Sequence, residues 1–264
     1  MNELKGKWSL VTGASSGMGK DFATILAEKG SSLILVARRE ERLRELQQKL
    51  QGQHGVQVEV VGMDLSIKDA PQVLYYLVNE MGHTVDILIN NAGYGLFGAF
   101  VELPWERQRN MLELDIITLV HMTKVFIKDM VARNSGYILQ ISSIGAYQPS
   151  PTYAAYAAAK SFVLNFGEAL NYELRNTNVK VSVLSPGATA TEFFQVSGQK
   201  PPLAARLTMM QSRKVAEIGI KTMLKGRMSK VAGFQNSFMA WSNRFAPRRL
   251  SAAIANWWME GDKK

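Results

Sequence analysis

The chain has no cysteine and only three histidines among its 264 residues. Without thiols there are no disulfides, no thiolate metal sites and no cysteine nucleophile. His54, His83 and His121 lie far apart and offer no metal-ligand spacing. Long apolar runs are missing too. No stretch of about eighteen apolar residues occurs, so no membrane-spanning helix is expected. The opening MNELKGKWSLVTG carries no apolar run of signal-peptide length. The expected location is the cytoplasm, and the lack of cysteine fits a reducing compartment.

Acidic residues are the scarcer charge: 22 Asp and Glu stand against 31 Lys and Arg, a net charge of +9. Most of the excess lies in residues 221–264, where nine Lys or Arg meet only Glu260 and Asp262. No nucleic-acid recognition motif accompanies this charge, so no nucleic-acid partner is expected.

What is present is a hydrophobic content of 47%, ample for the core of one large α/β domain. Short β-branched or apolar runs at residues 9–12, 33–37, 57–61, 87–90, 137–141 and 180–184 read as strands. Amphipathic stretches near 17–29, 40–51, 68–81, 105–133 and 152–176 read as helices between them. Pro104 and Pro151 mark two of the helix starts. Such alternation predicts a parallel sheet covered by helices on both faces. No repeat or linker interrupts it, so residues 1–264 are expected to form a single dinucleotide-binding domain. Residues 190–212, with Pro201 and Pro202, break the pattern and suit a substrate-covering loop.

The first predicted strand runs into TGASSGMG, residues 12–19. Gly13, Gly17 and Gly19 permit unusual dihedrals and close approach of a pyrophosphate to a helix N-terminus. Ser15, Ser16 and Met18 belong to the same cofactor loop. A glycine triplet alone fits any tight turn, but this one follows the first strand of an alternating pattern. The second strand ends in VARRE. A free ribose 2′-hydroxyl usually meets an acidic residue there, whereas Arg38 and Arg39 suit a 2′-phosphate. NADP(H) is therefore expected over NAD(H), the competing reading being that both arginines start a charged surface helix.

Further stretches fall in order: MDL at 63–65, NNAG at 90–93, YAAAK at 156–160 and SPG at 185–187. Over residues 5–192 the chain resembles the classical short-chain dehydrogenase/reductase family. The resemblance implies a Rossmann-type doubly wound sheet of about seven strands in order 3-2-1-4-5-6-7, and reversible hydride transfer between a carbonyl and an alcohol. It makes Asp64 and Leu65 neighbours of the adenine. Asn91, Ala92 and Gly93 would line the cofactor, with Asn90 supporting the sheet. Pro186, Gly187, Ala188 and Thr189 would pass the nicotinamide, with Thr191 near its carboxamide. The family also associates as dimers or tetramers through its long helices, here near 105–133 and 152–176.

Carbonyl reduction needs a proton donor whose pKa is drawn toward neutrality, and a hydroxyl to hold the carbonyl oxygen. Tyr156 and Lys160 are i and i+4, adjacent on one helix face. Tyr153 shares that face but lies roughly 10 Å from Lys160 along the axis, and is cast as a wall. The family's serine stands thirteen residues before its tyrosine, which selects Ser143, with Ser142 alternating to the other side of the strand. One residue departs from the family pattern: Asp115 stands where an asparagine normally organises a water chain to the lysine. If Asp115 pairs with Lys160, the lysine should lower the tyrosine pKa less effectively.

Tyr94, Phe97, Tyr147, Tyr153, Phe193 and Phe194 suggest an apolar substrate pocket for a lipophilic carbonyl compound. In the C-terminal extension 234–264, Phe238, Trp241 and Phe245, then Leu250, Ile254 and Trp257, recur at helical spacing among Arg244, Arg248 and Arg249. These stripes fit packing on the core, covering of the pocket, a partner subunit, or an anionic membrane surface. A non-catalytic NADP-binding sensor or scaffold of the same fold is the alternative to an enzyme.

Overall fold

Each of the six apolar runs becomes a parallel strand of one sheet: β1 (Trp8–Thr12), β2 (Ser32–Ala37), β3 (Val58–Gly62), β4 (Val85–Asn90), β5 (Gly136–Ile141) and β6 (Val179–Ser185). A short seventh strand, β7 (Ser229–Val231), pairs in parallel with the end of β6. The computed structural model, which describes residues 4–260, gives the sheet order β3-β2-β1-β4-β5-β6-β7. Asp262, Lys263 and Lys264 of the basic tail lie outside the described residues.

In chain order the helices are α1 (Gly17–Glu28), α2 (Glu40–His54), α3 (Ala70–Glu80), α4 (Trp105–Leu112), α5 (Leu119–Ala132), α6 (Ala154–Glu173), α7 (Phe193–Ser197), α8 (Leu203–Thr208), α9 (Ser212–Leu224), α10 (Phe234–Ser242) and α11 (Arg248–Glu260). The central strands are hydrophobic on both sides because helices cover both faces. Val11, Leu35 and Ile89 pack with Phe22 and Leu26 of α1 and Val215 and Ile220 of α9. Leu10, Ile34 and Leu88 pack on the opposite face with Leu74 of α3 and Met122 and Phe126 of α5.

Three differences from expectation bear on the site. The stretch 105–133 is not one α-helix: Glu113–Thr118 between α4 and α5 winds as a π-helix. Residues 190–212 hold two short helices, α7 and α8, and a two-stranded ribbon of Thr189–Ala190 with Met210–Gln211. Beyond them α9 returns to the sheet, and Gly219 lets it close in, since a Cβ there would lie 2.9 Å from a Leu184 methyl.

Candidate active site

Strand order reverses at β1 and β4, and the carboxyl ends of β1, β2, β4, β5 and β6 open on one cleft of about 600 Å³. At its floor Gly13 and Gly17 adopt positive φ values of 67° and 51°. A Cβ on Gly13 would lie 2.8 Å from Asn91 Nδ2, and one on Gly17 2.9 Å from Thr191 Cγ2. The loop therefore leaves the α1 N-terminus bare, with backbone N–H groups and the positive dipole end available to a pyrophosphate. The Thr12 hydroxyl accepts the N–H groups of Asn91 and Ala92, both at 2.9 Å, and so ties the NNAG turn to β1. Asn90 turns away into the sheet, where its Nδ2 donates to Gln140 Oε1 at 3.0 Å and Thr123 Oγ1 at 3.1 Å.

At the end of β5 the two serines part. Ser142 donates to the Lys160 carbonyl at 2.7 Å and braces α6, while Ser143 faces the cleft and accepts the Gly145 N–H at 3.2 Å. Tyr156 and Lys160 share the cleft face of α6, with Lys160 Nζ 5.6 Å from the Tyr156 ring centroid. The ammonium also donates to the Ile141 carbonyl at 3.3 Å and meets Asp115 Oδ2 at 3.1 Å. Asp115 is fully buried, and its other oxygen accepts the Tyr94 N–H at 3.1 Å.

The π-helix turn carries Asp115 to this position, and such single turns often mark functional sites. Gly93 makes the room: a Cβ there would come within 2.5 Å of Asp115 Oδ1 and 3.2 Å of Lys160 Nζ. Burial raises the Tyr156 pKa, the nearby Asp115 carboxylate raises it further, and the Ser143 hydrogen bond draws it partly back. Burial also raises the pKa of Asp115, against the pull of Lys160.

Tyr153 is buried, with its hydroxyl 2.9 Å from Gln199 Oε1 and 3.0 Å from Ser197 Oγ. Burial raises its pKa, and Ser197 partly counters this. Its ring packs against Phe97 and Phe193, and Phe193 also meets Tyr156. Tyr94, Phe193 and Phe194 line the cleft. Phe97 stands behind Tyr153, and Tyr147 turns its hydroxyl toward Ser185, so the expected pocket role of these two is corrected.

The cleft wall also gathers Ser15, Ser16, Met18, Arg38, Arg39, Asp64, Leu65, Asn91, Ala92, Gly93, Pro186, Gly187, Ala188, Thr189 and Thr191. Gly19 and Asp115 lie one layer behind it. A Cβ on Gly19 would overlap the Gly13 carbonyl, so that glycine lets α1 pack beneath the loop. Residues that sequence reasoning did not single out join the wall: Asn110, Ser150, Glu192, Gln199, Trp258 and Met259. Gln199 donates to the Met259 carbonyl at 3.1 Å, which ties α11 to the cleft mouth.

Beyond the end of β2 Arg38 is largely exposed and stands 3.8 Å from Asp64. Arg39 donates from Nη2 to Ser16 Oγ at 2.7 Å and from Nε to Ser15 Oγ at 3.3 Å. Its Nη1 meets Glu192 at 2.8 Å, and Arg42 holds the other Glu192 oxygen at 2.7 Å. The two guanidiniums lower the Glu192 pKa to about 2. These residues fit a dinucleotide: a bare helix N-terminus, a cradle that Cβ atoms would fill, and cations beyond the end of β2.

The extension shows two sides. Trp258 and Met259 line the cleft, and Ser251 and Ala255 are buried. Phe238, Trp241, Phe245, Leu250, Ile254 and Trp257 are exposed, so the helical stripes do not face the core.

A family model for the short chain dehydrogenases matches residues 7–202. The 7beta-hydroxysteroid dehydrogenase of Mediterraneibacter gnavus is 31% identical over 193 residues, 72% of each chain. The mouse (Mus musculus) 17-beta-hydroxysteroid dehydrogenase type 3 is 32% identical over 222 residues, 82% of this chain and 71% of its own. Among solved structures, a short-chain dehydrogenase from Sphingobium yanoikuyae in complex with NADPH superposes with a TM-score of 0.81 at 27% identity, covering 90% of this chain and 93% of its own. Motifs, sheet order and these likenesses agree: the chain belongs to the short-chain dehydrogenase family and is an NAD(P)-dependent oxidoreductase.

Proposed function

We propose that the protein is a single-domain, NADP(H)-dependent enzyme that interconverts a lipophilic ketone or aldehyde with its alcohol. The observation that carries this reading is the convergence of Tyr156, Lys160 and Ser143 at one corner of a cleft whose other end is cationic. When bound, the dinucleotide supplies or takes the hydride. The chain does the rest. In reduction the Tyr156 hydroxyl gives its proton to the carbonyl oxygen while Ser143 donates a second hydrogen bond to that atom. Lys160 favours the phenolate that remains and anchors the nicotinamide ribose. Behind it the relay ends in Asp115, a carboxylate where the family has a neutral amide.

The glycine loop takes the pyrophosphate, and Arg38 and Arg39 take the 2′-phosphate. Asp64 and Leu65 flank the adenine, while Asn91, Ala92, Gly93 and residues 186–191 border the rest. Tyr153, Phe193, Phe194 and Met259 give the substrate end an apolar wall, and the names of the two hydroxysteroid dehydrogenase relatives favour bulky carbonyls. NADPH oxidation with a panel running from small ketones to ketosteroids tests this, with NADH in parallel. Tyr156→Phe should lower kcat by about 10²–10⁴-fold. Full NADPH binding with no turnover on any carbonyl would instead favour the sensor reading.

The exposed aromatics of α10 and α11 support peripheral contact with an anionic lipid surface. No Asp or Glu occurs from residue 231 to 259, whereas Arg244, Arg248 and Arg249 do. Among the described residues no helix is long and apolar enough to cross a membrane. Sedimentation with phosphatidylserine vesicles, lost in Trp241→Ser/Phe245→Ser, is the expected result, and equal sedimentation of that variant would remove the idea. The cytoplasm remains the proposed compartment, and association through α5 and α6 as a homodimer or homotetramer the proposed assembly, which light scattering checks.

A further inference from the structure

Glu192 contributes a carboxylate at the end of the cleft assigned to a phosphate. Each of its oxygens meets a different guanidinium, Arg39 at 2.8 Å and Arg42 at 2.7 Å. All three Arg39 nitrogens are engaged, because Ser15 and Ser16 take Nε and Nη2. The carboxylate therefore satisfies the one edge of Arg39 that the serines leave open. Among the described residues, Arg38 by contrast has only Asp64 at 3.8 Å.

The segment that carries Glu192 also touches both other parts of the site. Thr191 lies against Gly17 in the pyrophosphate loop, since a Cβ on that glycine would approach Thr191 Cγ2 to 2.9 Å. Phe193 packs on the rings of Tyr153 and Tyr156, with centroids 6.2 and 5.5 Å apart. Residues 191–193 thus run from the phosphate loop past the cations to the reacting corner.

We infer that Glu192 is a specificity-determining residue that competes with the cofactor's 2′-phosphate for Arg39. Binding of a 2′-phosphate exchanges one anion for another on Arg39, and loosens the segment that places Phe193 beside Tyr156. A cofactor with a plain 2′-hydroxyl leaves the carboxylate where it is. Recognition of the extra phosphate is thereby linked to the position of the substrate wall. The ion pairs are exposed, so the exchange is inexpensive in free energy and reversible. The inference rests on the NADP(H) reading.

The test is calorimetric binding of 2′,5′-ADP and 5′-AMP to the wild-type protein and to Glu192→Gln, which keeps the size and removes the charge. Wild type should prefer 2′,5′-ADP. The variant should bind 2′,5′-ADP about two- to fivefold more tightly, the range of an exposed ion pair, with 5′-AMP unchanged. Equal tightening of both ligands, no change, or weaker 2′,5′-ADP binding would overturn the competition. Weakening would make Glu192 a support that positions the arginines. A wild type indifferent to the 2′-phosphate would remove the NADP(H) reading and this inference with it.

Discussion

Two groups of cation–carboxylate contacts beside the cleft differ in burial. Lys160 and Asp115 meet at 3.1 Å with both side chains almost wholly buried. Arg39 and Arg42 meet Glu192 at similar distances, with all three side chains more than a third exposed. The distances hardly differ, so the solvent decides what each contact does. A buried pair has lost its hydration, and removing one partner strands the other in a poor dielectric. An exposed pair can trade its partner for water or another anion at little expense. The first suits a fixed proton environment beneath Tyr156, the second a site that must admit a charged ligand.

Asp115→Ala should break this comparison most sharply. It leaves the Lys160 ammonium buried without its counter-charge, an expected loss of about 3–5 kcal/mol, read from chemical denaturation. A loss below about 1 kcal/mol would mean that the pair behaves as a surface contact. Gly93→Ala comes next. Its methyl would press on both Asp115 and Lys160, and such overpacking typically costs about 1–3 kcal/mol. Activity should fall along with stability, because the same shift displaces Lys160.

Asp115→Asn is milder in stability and sharper in chemistry. The carboxylate disfavours a second negative charge nearby, and so adds to the upward pull of burial on the Tyr156 pKa. The amide removes that contribution, so the phenolate forms at lower pH. Alcohol oxidation, which needs phenolate, should gain its active limb at lower pH. Ketone reduction, which needs phenol, should lose its active limb at lower pH. Profiles of kcat/KM against pH that coincide for the two proteins would show that Asp115 exerts no charge effect on the tyrosine.

The fold was legible because two periodicities dominate it. The apolar runs of β1 to β6 are buried on both faces, and the intervening stretches are amphipathic helices. β7 was not legible. It pairs through only three residues at the sheet edge, and Ser229, Lys230 and Val231 carry no strand pattern. α9 was obscured by Gly219, which lowers helix propensity by about 1 kcal/mol and is explained by the Leu184, Phe22 and Leu139 side chains packed against it. At the site, helix spacing put both tyrosines on one face, and reach from Lys160 with the offset from Ser143 singled out Tyr156 as the proposed acid. The π-helix turn leaves no mark in ELDIIT. Glu192 was equally hidden: its partners stand 153 and 150 residues earlier in the chain, and no local pattern joins them.

Arg42→Ala probes the exposed contact alone and should give the smallest effect. Arg42 occupies the first turn of α2, where one Glu192 oxygen is its partner. Its loss leaves Arg39 on the same carboxylate, so stability should change by less than about 1 kcal/mol. That small change should itself shrink as salt rises from about 0.01 to 1 M, because the Debye length falls from about 30 to 3 Å. The effect of Asp115→Ala should be nearly indifferent to the same salt range, since the buried pair is out of reach of mobile ions. Equal salt sensitivity at both positions would dissolve the distinction drawn between the two groups of contacts. A salt-sensitive Arg42 beside a salt-insensitive Asp115 is the result that burial predicts.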